Sequence, residues 1–153
     1  MNPIGCCALK YIELRPDVCG GRPIIAGTRL EAAIILEMID SGYNIEEIID
    51  EYPFLSDRIL KHVMENRKSI ERYIEASKHY EIDPNKVCGM VVIAGTRLPV
   101  LHVYDMLDSG YSISEILEEY PFLTYGALRG LIEYRDIIEP LARSVEHKIA
   151  FQK

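Results

Sequence analysis

Few side chains in this sequence could do covalent or metal chemistry, and they are scattered. The cysteines are Cys6, Cys7, Cys19 and Cys88, and the histidines are His62, His79, His102 and His147. No cysteine pair has the C-x-x-C spacing of a zinc site. Nothing in the sequence places a base beside Cys6-Cys7 to make a thiolate nucleophile. The phosphate-cradling G-x-x-x-x-G-K-[ST], the metal-binding H-E-x-x-H, the nucleophile elbow G-x-S-x-G and the dinucleotide G-x-G-x-x-G are all absent. The expectation is a protein that is not an enzyme, with no metal and no cofactor. The side chains left to do chemistry are binding groups. Gly27-Thr28-Arg29 recurs as Gly95-Thr96-Arg97, and Arg58, Lys61 and His62 lie close together further on.

These groups must be positioned by a module that is written twice. Ile25-Ala26-Gly27-Thr28-Arg29-Leu30 returns as Ile93-Ala94-Gly95-Thr96-Arg97-Leu98, Asp40-Ser41-Gly42-Tyr43 as Asp108-Ser109-Gly110-Tyr111, and Glu51-Tyr52-Pro53-Phe54-Leu55 as Glu119-Tyr120-Pro121-Phe122-Leu123. One offset of about 68 residues aligns all three, and about half the positions from Ile25 to Lys68 are identical. Two copies are too few for a solenoid. They predict two duplicated units, residues 1–79 and 80–153, packed about a pseudo-two-fold axis as a dimer would be.

Each unit reads as a short β-hairpin followed by three helices. Thr28-Arg29-Leu30-Glu31 has the form of a capping box for the first helix, with Pro99 replacing Glu31 in the second unit. Ile34, Ile35, Met38 and Ile39 share its inner face. Asn44-Ile45-Glu46-Glu47 and Ser112-Ile113-Ser114-Glu115 start the second helix, which Pro53 or Pro121 ends. Ser56 or Thr124 caps the third helix. Ile59, Leu60, Val63 and Met64 face inward there, as do Ala127, Leu128, Leu131 and Ile132. The pattern continues through Ile70 and Ile74 in the first unit, and Pro140 kinks or restarts it in the second. Helices two and three form a helix-turn-helix.

On helix three, Arg58, Lys61 and His62 should therefore point outward, onto a face that could read DNA or simply be solvated. In the second unit Gly126 and Gly130 replace Arg58 and His62, leaving Tyr125, Arg129 and Arg135. Two glycines one turn apart suit close approach of another backbone, and mark a candidate protein contact. Gly27-Thr28-Arg29 has two readings. Thr caps and Arg pairs with Glu47 or Asp50, or the Arg touches phosphate. Cys19 and Cys88 fall at matching points of the hairpins and read as small buried hydrophobes.

Composition limits the partners. The 153 residues are 48% apolar and 27% charged, with a formal net charge of −7. That is ordinary for a folded protein and acidic for one that lives on nucleic acid. Helix two is distinctly acidic, with Glu46, Glu47, Asp50 and Glu51, and these carboxylates would repel phosphates. No run approaches a membrane span, no signal peptide is read in the first residues, and free thiols fit a cytoplasmic protein.

The string G-x-P-x-I-x-G-T-R before a helix, followed by Ser109-Gly110-Tyr111-Ser112-Ile113-Ser114-Glu115 and Glu119-Tyr120-Pro121-Phe122-Leu123-Thr124, resembles the domain of unknown function 433 family. The resemblance covers both copies, with Met90-Val91 departing from the basic residue and proline the family prefers. It implies a mainly α fold of homeodomain-like helix-turn-helix units behind a hairpin. It also implies an antitoxin-like function similar to VapB-like proteins, with a PIN-type toxin as partner and operator DNA as a second ligand. The tandem suggests that one chain replaces a homodimer, with the hairpins sharing a sheet and a further homodimer open. The alternative is a protein-interaction module that keeps the helix-turn-helix shape without binding DNA.

Overall fold

A computed structural model describes residues 9–151. Each unit begins with a two-stranded antiparallel hairpin, β1 (Ile12–Leu14) with β2 (Pro23–Ile25), and β3 (Tyr80–Ile82) with β4 (Val91–Ile93). The register is the same in both, Ile12 opposite Ile25 and Tyr80 opposite Ile93. Helices α1 (Ala32–Asp40), α2 (Ile45–Glu51), α3 (Asp57–Glu65) and α4 (Arg67–Ser77) follow in the first unit, and α5 (Val100–Asp108), α6 (Ile113–Glu119), α7 (Tyr125–Glu133) and α8 (Arg135–Phe151) in the second. The fold is mainly α, two tandem helix-turn-helix units behind short hairpins, the motif being α2–α3 and α6–α7.

The local signals explain most of these boundaries. Asn44 and Ser112 each accept the backbone N–H three residues on, while Glu47 and Glu115 reach back to the cap's own N–H, so both capping boxes form. The Glu115 carboxyl lies below its ordinary pKa because the Ser112 backbone and hydroxyl stabilise its charged form. Ser56 and Thr124 cap α3 and α7. Gly42 and Gly110, both at φ +97°, close α1 and α5 in a left-handed turn that a side chain resists.

Several expectations need correction. Among the described residues each unit has four helices rather than three. The expected long third helix breaks at Asn66 and Tyr134, whose φ/ψ are near −109°/23° and −106°/22°. In the first unit the Asn66 amide donates back to the His62 carbonyl at 2.9 Å, competing with helix continuation. The first helix starts at Ala32, capped by Glu31 without a side-chain bond, so Thr28 does not cap it. Its inner stripe is Ala32, Ile35 and Leu36, and Ile34 is exposed. Met64 and Ile132 are likewise outside. Pro140 lies within α8, which runs on through it, held by the buried Ile137, Ile138, Leu141 and Val145. The hairpins form two separate sheets and do not share one.

The units interlock. The first has a core around Ile12, Ile25, Ile35, Ile48, Leu60 and Ile70. The second core, around Val91, Val103, Tyr104, Ile116 and Leu128, takes in Leu14 and Ala76 from the first unit. The last helices pack together, and Arg72 on α4 grips Asp136 on α8 through both oxygens at 2.7 and 2.8 Å. The Tyr80 hydroxyl donates to the Gly21 carbonyl at 2.6 Å.

An arginine clamp is repeated. Arg67 bonds Asp40 at the end of α1 and Glu71 on its own helix, and Arg135 does the same with Asp108 and Glu139. The arginines hold Asp40, Asp108 and Asp136 below the ordinary carboxylate range. Carboxyls with lowered pKa lend stability that is whole above the unfolded value and is lost as pH falls through the folded one. Thermal midpoints followed by circular dichroism should therefore decline below about pH 4, and less steeply in Asp136→Asn. A flat profile to pH 2, roughly the acid limit of such titrations, would contradict the assignment.

Candidate functional site

The Gly-Thr-Arg segment is a turn that hands β2 to α1, and β4 to α5. Gly27 and Gly95 both sit at φ +79°. Glu13 Oε1 accepts the Gly27 N–H at 3.1 Å, and Glu81 Oε1 accepts the Gly95 N–H at 2.7 Å. Lys86 and that N–H lower the Glu81 pKa. Thr28 Oγ1 donates to the Ile25 carbonyl at 2.8 Å and accepts the Leu30 N–H at 3.0 Å, and Thr96 repeats the pair. The glycine and threonine thus build the turn. Arg29 and Arg97 do not: both are exposed, and neither guanidinium makes an ion pair or hydrogen bond among the described residues. The expected pairing of Arg29 with Glu47 or Asp50 is not made; the Glu47 carboxylate accepts the Asn44 N–H.

On α3, Arg58 and Lys61 are exposed as expected, Lys61 being 3.1 Å from Asp57 one turn earlier. His62 is not outward. It is half-buried, with Tyr11 edge-on to its ring at 5.1 Å, Nδ1 3.3 Å from the Asn66 amide, and Nε2 buried without a partner. The residue that covers it comes from before β1, so the period of α3 could not reveal it. Lys10 joins Arg58 and Lys61 around this cleft, and the sequence held no signal for that either.

The second unit diverges here. Tyr125 is exposed and Arg129 lies over its ring at 5.9 Å. Gly130 is buried, and a Cβ there would run into the ring of His79, which stacks on Tyr134 at 5.5 Å. The space at Gly130 is therefore taken within the chain, by a side chain and not by the expected backbone, and the residue is not a partner contact. Gly126 is exposed, a Cβ there would meet only the Thr124 hydroxyl at an ordinary 4.0 Å, and nothing in the structure explains a glycine there. Arg135 is held by Asp108, Glu139 and the face of Tyr104, 4.7 Å away, and is not free to meet DNA. The buried Tyr104 hydroxyl bonds the Leu131 carbonyl at 2.8 Å, and burial raises its pKa.

The helical period alone does not foretell two surface features. The corner after α2 exposes Phe54, edge-on to Tyr52 at 6.0 Å, and Phe122 repeats this with Tyr120. With Arg15, Arg29, Leu30 and Ile59, Tyr52 and Phe54 border a cleft of about 930 Å³. On another side of the first unit, Ile39, Tyr43, Ile45 and Met64 line an apolar groove of about 470 Å³, with Glu46 also at its wall. Repetition of an exposed aromatic was the available clue. Glu46 of α2 lines the groove, and Asp50 and Glu51 of α2 are exposed, as are Glu118 and Glu119 of α6.

Cys19 is half-buried, its thiol donating to the Arg29 carbonyl at 3.3 Å, while Cys88 is exposed rather than buried. The hairpin turns align Cys19 with Val87, so the two cysteines are one residue out of register. Cys6 and Cys7 lie outside the described residues. His102 Nε2 meets the Tyr120 hydroxyl at 2.7 Å. Among the described residues no three His, Cys, Asp or Glu are grouped to hold a metal, and no helix is long and apolar enough to cross a membrane.

The model of the family described as protein of unknown function DUF433 matches residues 12–65 and again 81–134. The crystal structure of a DUF433 member protein from Anabaena variabilis ATCC 29413 is 20% identical, over 68% of this chain and 99% of that one, with a TM-score of 0.38. No curated protein matches.

Proposed function

Because the chain belongs to the DUF433 family, whose domain it carries twice in tandem, we propose that it is a non-enzymatic, cytoplasmic, antitoxin-like regulator that binds a toxin-like protein partner. The observation that carries this reading is two sets of exposed apolar side chains, on different sides of each unit, that flank the two ends of its acidic second helix. Tyr43, Phe54 and Met64 are 47%, 56% and 48% exposed, and Tyr111, Phe122 and Ile132 repeat them at 46%, 61% and 43%. Apolar anchors bordered by charge are what a protein partner covers, and the carboxylates of α2 and α6 select a basic one. A PIN-type ribonuclease is the partner class that the family resemblance suggests.

DNA reading is the second element, and it rests on Arg58 and Lys61 of α3, with Lys10 beside them. Two or three phosphate contacts would give log K a slope of roughly −2 to −3 against log salt. Arg58→Ala should weaken binding at low salt and lower that slope by about one. A specific observation favours the narrower reading of an interaction module that does not bind DNA. His62 is turned inward, and α7 has replaced Arg58 and His62 by glycines. Absence of binding to any duplex at low salt would decide for that module.

The partner itself is tested by co-purification. The full-length tagged chain should retain the product of an adjacent gene, and Tyr43→Asp with Phe54→Asp should release it. If that product is made and never co-purifies, the antitoxin reading fails.

A further inference from the structure

Which exposed residues the two units have kept, and which they have let go, separates two surfaces. About half the positions from Ile25 to Lys68 differ from their counterparts, and those on the outer face of α3 are among them: Arg58 corresponds to Gly126 and Lys61 to Arg129. Several exposed positions that are identical have a structural duty. Asp40 and Asp108 hold the arginine clamp, Glu47 and Glu115 complete capping boxes, and Gly42 and Gly110 end helices. Arg29/Arg97 and Phe54/Phe122 have none, like Tyr43/Tyr111. The guanidiniums are unpaired among the described residues, and the phenyl rings are more than half exposed. In the first unit these two side chains border one cleft, with Tyr52 holding Phe54 edge-on.

We propose that this notch, an unpaired arginine beside an exposed Tyr-Phe pair, is a peptide-binding site in each unit. It takes an extended segment that presents one carboxylate next to a bulky apolar side chain. The arginine would hold the carboxylate through a two-pronged charge-assisted bond, and the ring pair with Leu30 and Ile59 would cover the apolar group. The ligand charge follows from the pairing of the arginines. Arg15 also borders the first notch but lies 3.2 Å from Asp17, which leaves Arg29 as the guanidinium there with no ion pair among the described residues. One unpaired arginine suits a single negative charge better than a phosphate dianion. The exposed Glu51 and Glu119, next in the chain to Tyr52 and Tyr120, oppose a polyanion such as nucleic acid. The notch shares Phe54 and Phe122 with the proposed partner surface, but its binding of a carboxylate requires neither a toxin nor DNA.

The test is titration of the full-length protein with N-acetyl-L-phenylalanine, followed by backbone amide NMR. Its amide, N-acetyl-L-phenylalaninamide, is the uncharged control, and phenyl phosphate is the dianion. Saturable shifts are expected around Gly27–Leu30 and Phe54 and also around Gly95–Leu98 and Phe122, with the amide binding roughly fivefold more weakly. Arg29→Gln should abolish the first set and leave the second, and Arg97→Gln should do the reverse. No saturable shift at either notch, or equal binding of acid and amide, would overturn the proposal. Tight binding of phenyl phosphate to the first notch alone would overturn it in favour of a phosphate site.

Discussion

Leu14→Ala is expected to cost about 2–5 kcal/mol of stability and to lower the unfolding midpoint of both units together. Leu14 lies on β1 of the first unit and is fully buried, yet it packs in the cluster of Tyr80, Val91, Ile93 and Tyr104 of the second. Removing three heavy atoms there loses transfer free energy and leaves a cavity shared by two units, which neither can close alone. The tandem is thereby one cooperative body, tied as well by Tyr80 to Gly21 and by Arg72 to Asp136. Urea unfolding followed by far-ultraviolet circular dichroism should show one transition, moved as a whole. Ile34→Ala on the exposed face of α1 should shift it by less than about 0.5 kcal/mol. Two resolved transitions, one of them unmoved by Leu14→Ala, would show the units to be independent.

The second large effect changes sign with its background. Gly130→Ala is expected to destabilise by about 1–3 kcal/mol, although alanine is the better helix former by up to about 1 kcal/mol. The new methyl would occupy the space of the His79 ring, which must then leave its stack on Tyr134. In a His79→Ala protein the obstacle is gone, and the same glycine replacement should stabilise by up to about 1 kcal/mol. Thermal or urea denaturation of the four proteins closes this cycle. Equal effects of Gly130→Ala in both backgrounds would refute the account. The first unit solves the same contact with opposite sizes. Tyr11 stands where His79 does, His62 where Gly130 does and Asn66 where Tyr134 does, and the ring contact there is edge-on instead of stacked.

Those pairs also show why the candidate site was only partly legible. The helical period of α3 sorts side chains into inner and outer faces against its own unit. It placed Arg58 and Lys61 correctly on the outside. It could not foresee Tyr11, which precedes β1 by one residue and folds over His62. In the same way the two glycines of α7 signalled a close approach, and one is made at Gly130, but by His79 of the same chain. Thr28 looked like a helix cap because its spacing to Glu31 is right. The chain instead spends those residues in a turn locked by Glu13, an acceptor 14 positions earlier.

What the amino-acid order alone determines is the duplication, the hairpin-plus-helices plan, the caps at Asn44, Ser56, Ser112 and Thr124, and the proline ends of α2 and α6. Those features depend on hydrogen bonds and dihedral preferences within a few residues, so short-range spacing is enough to state them. The tertiary structure alone decided that Leu14 serves the other unit's core, that His62 and Gly130 are internal, and that Arg29 stands unpaired beside Phe54. Each of these depends on which distant segment covers a given face, and packing chooses that only when the whole chain has closed.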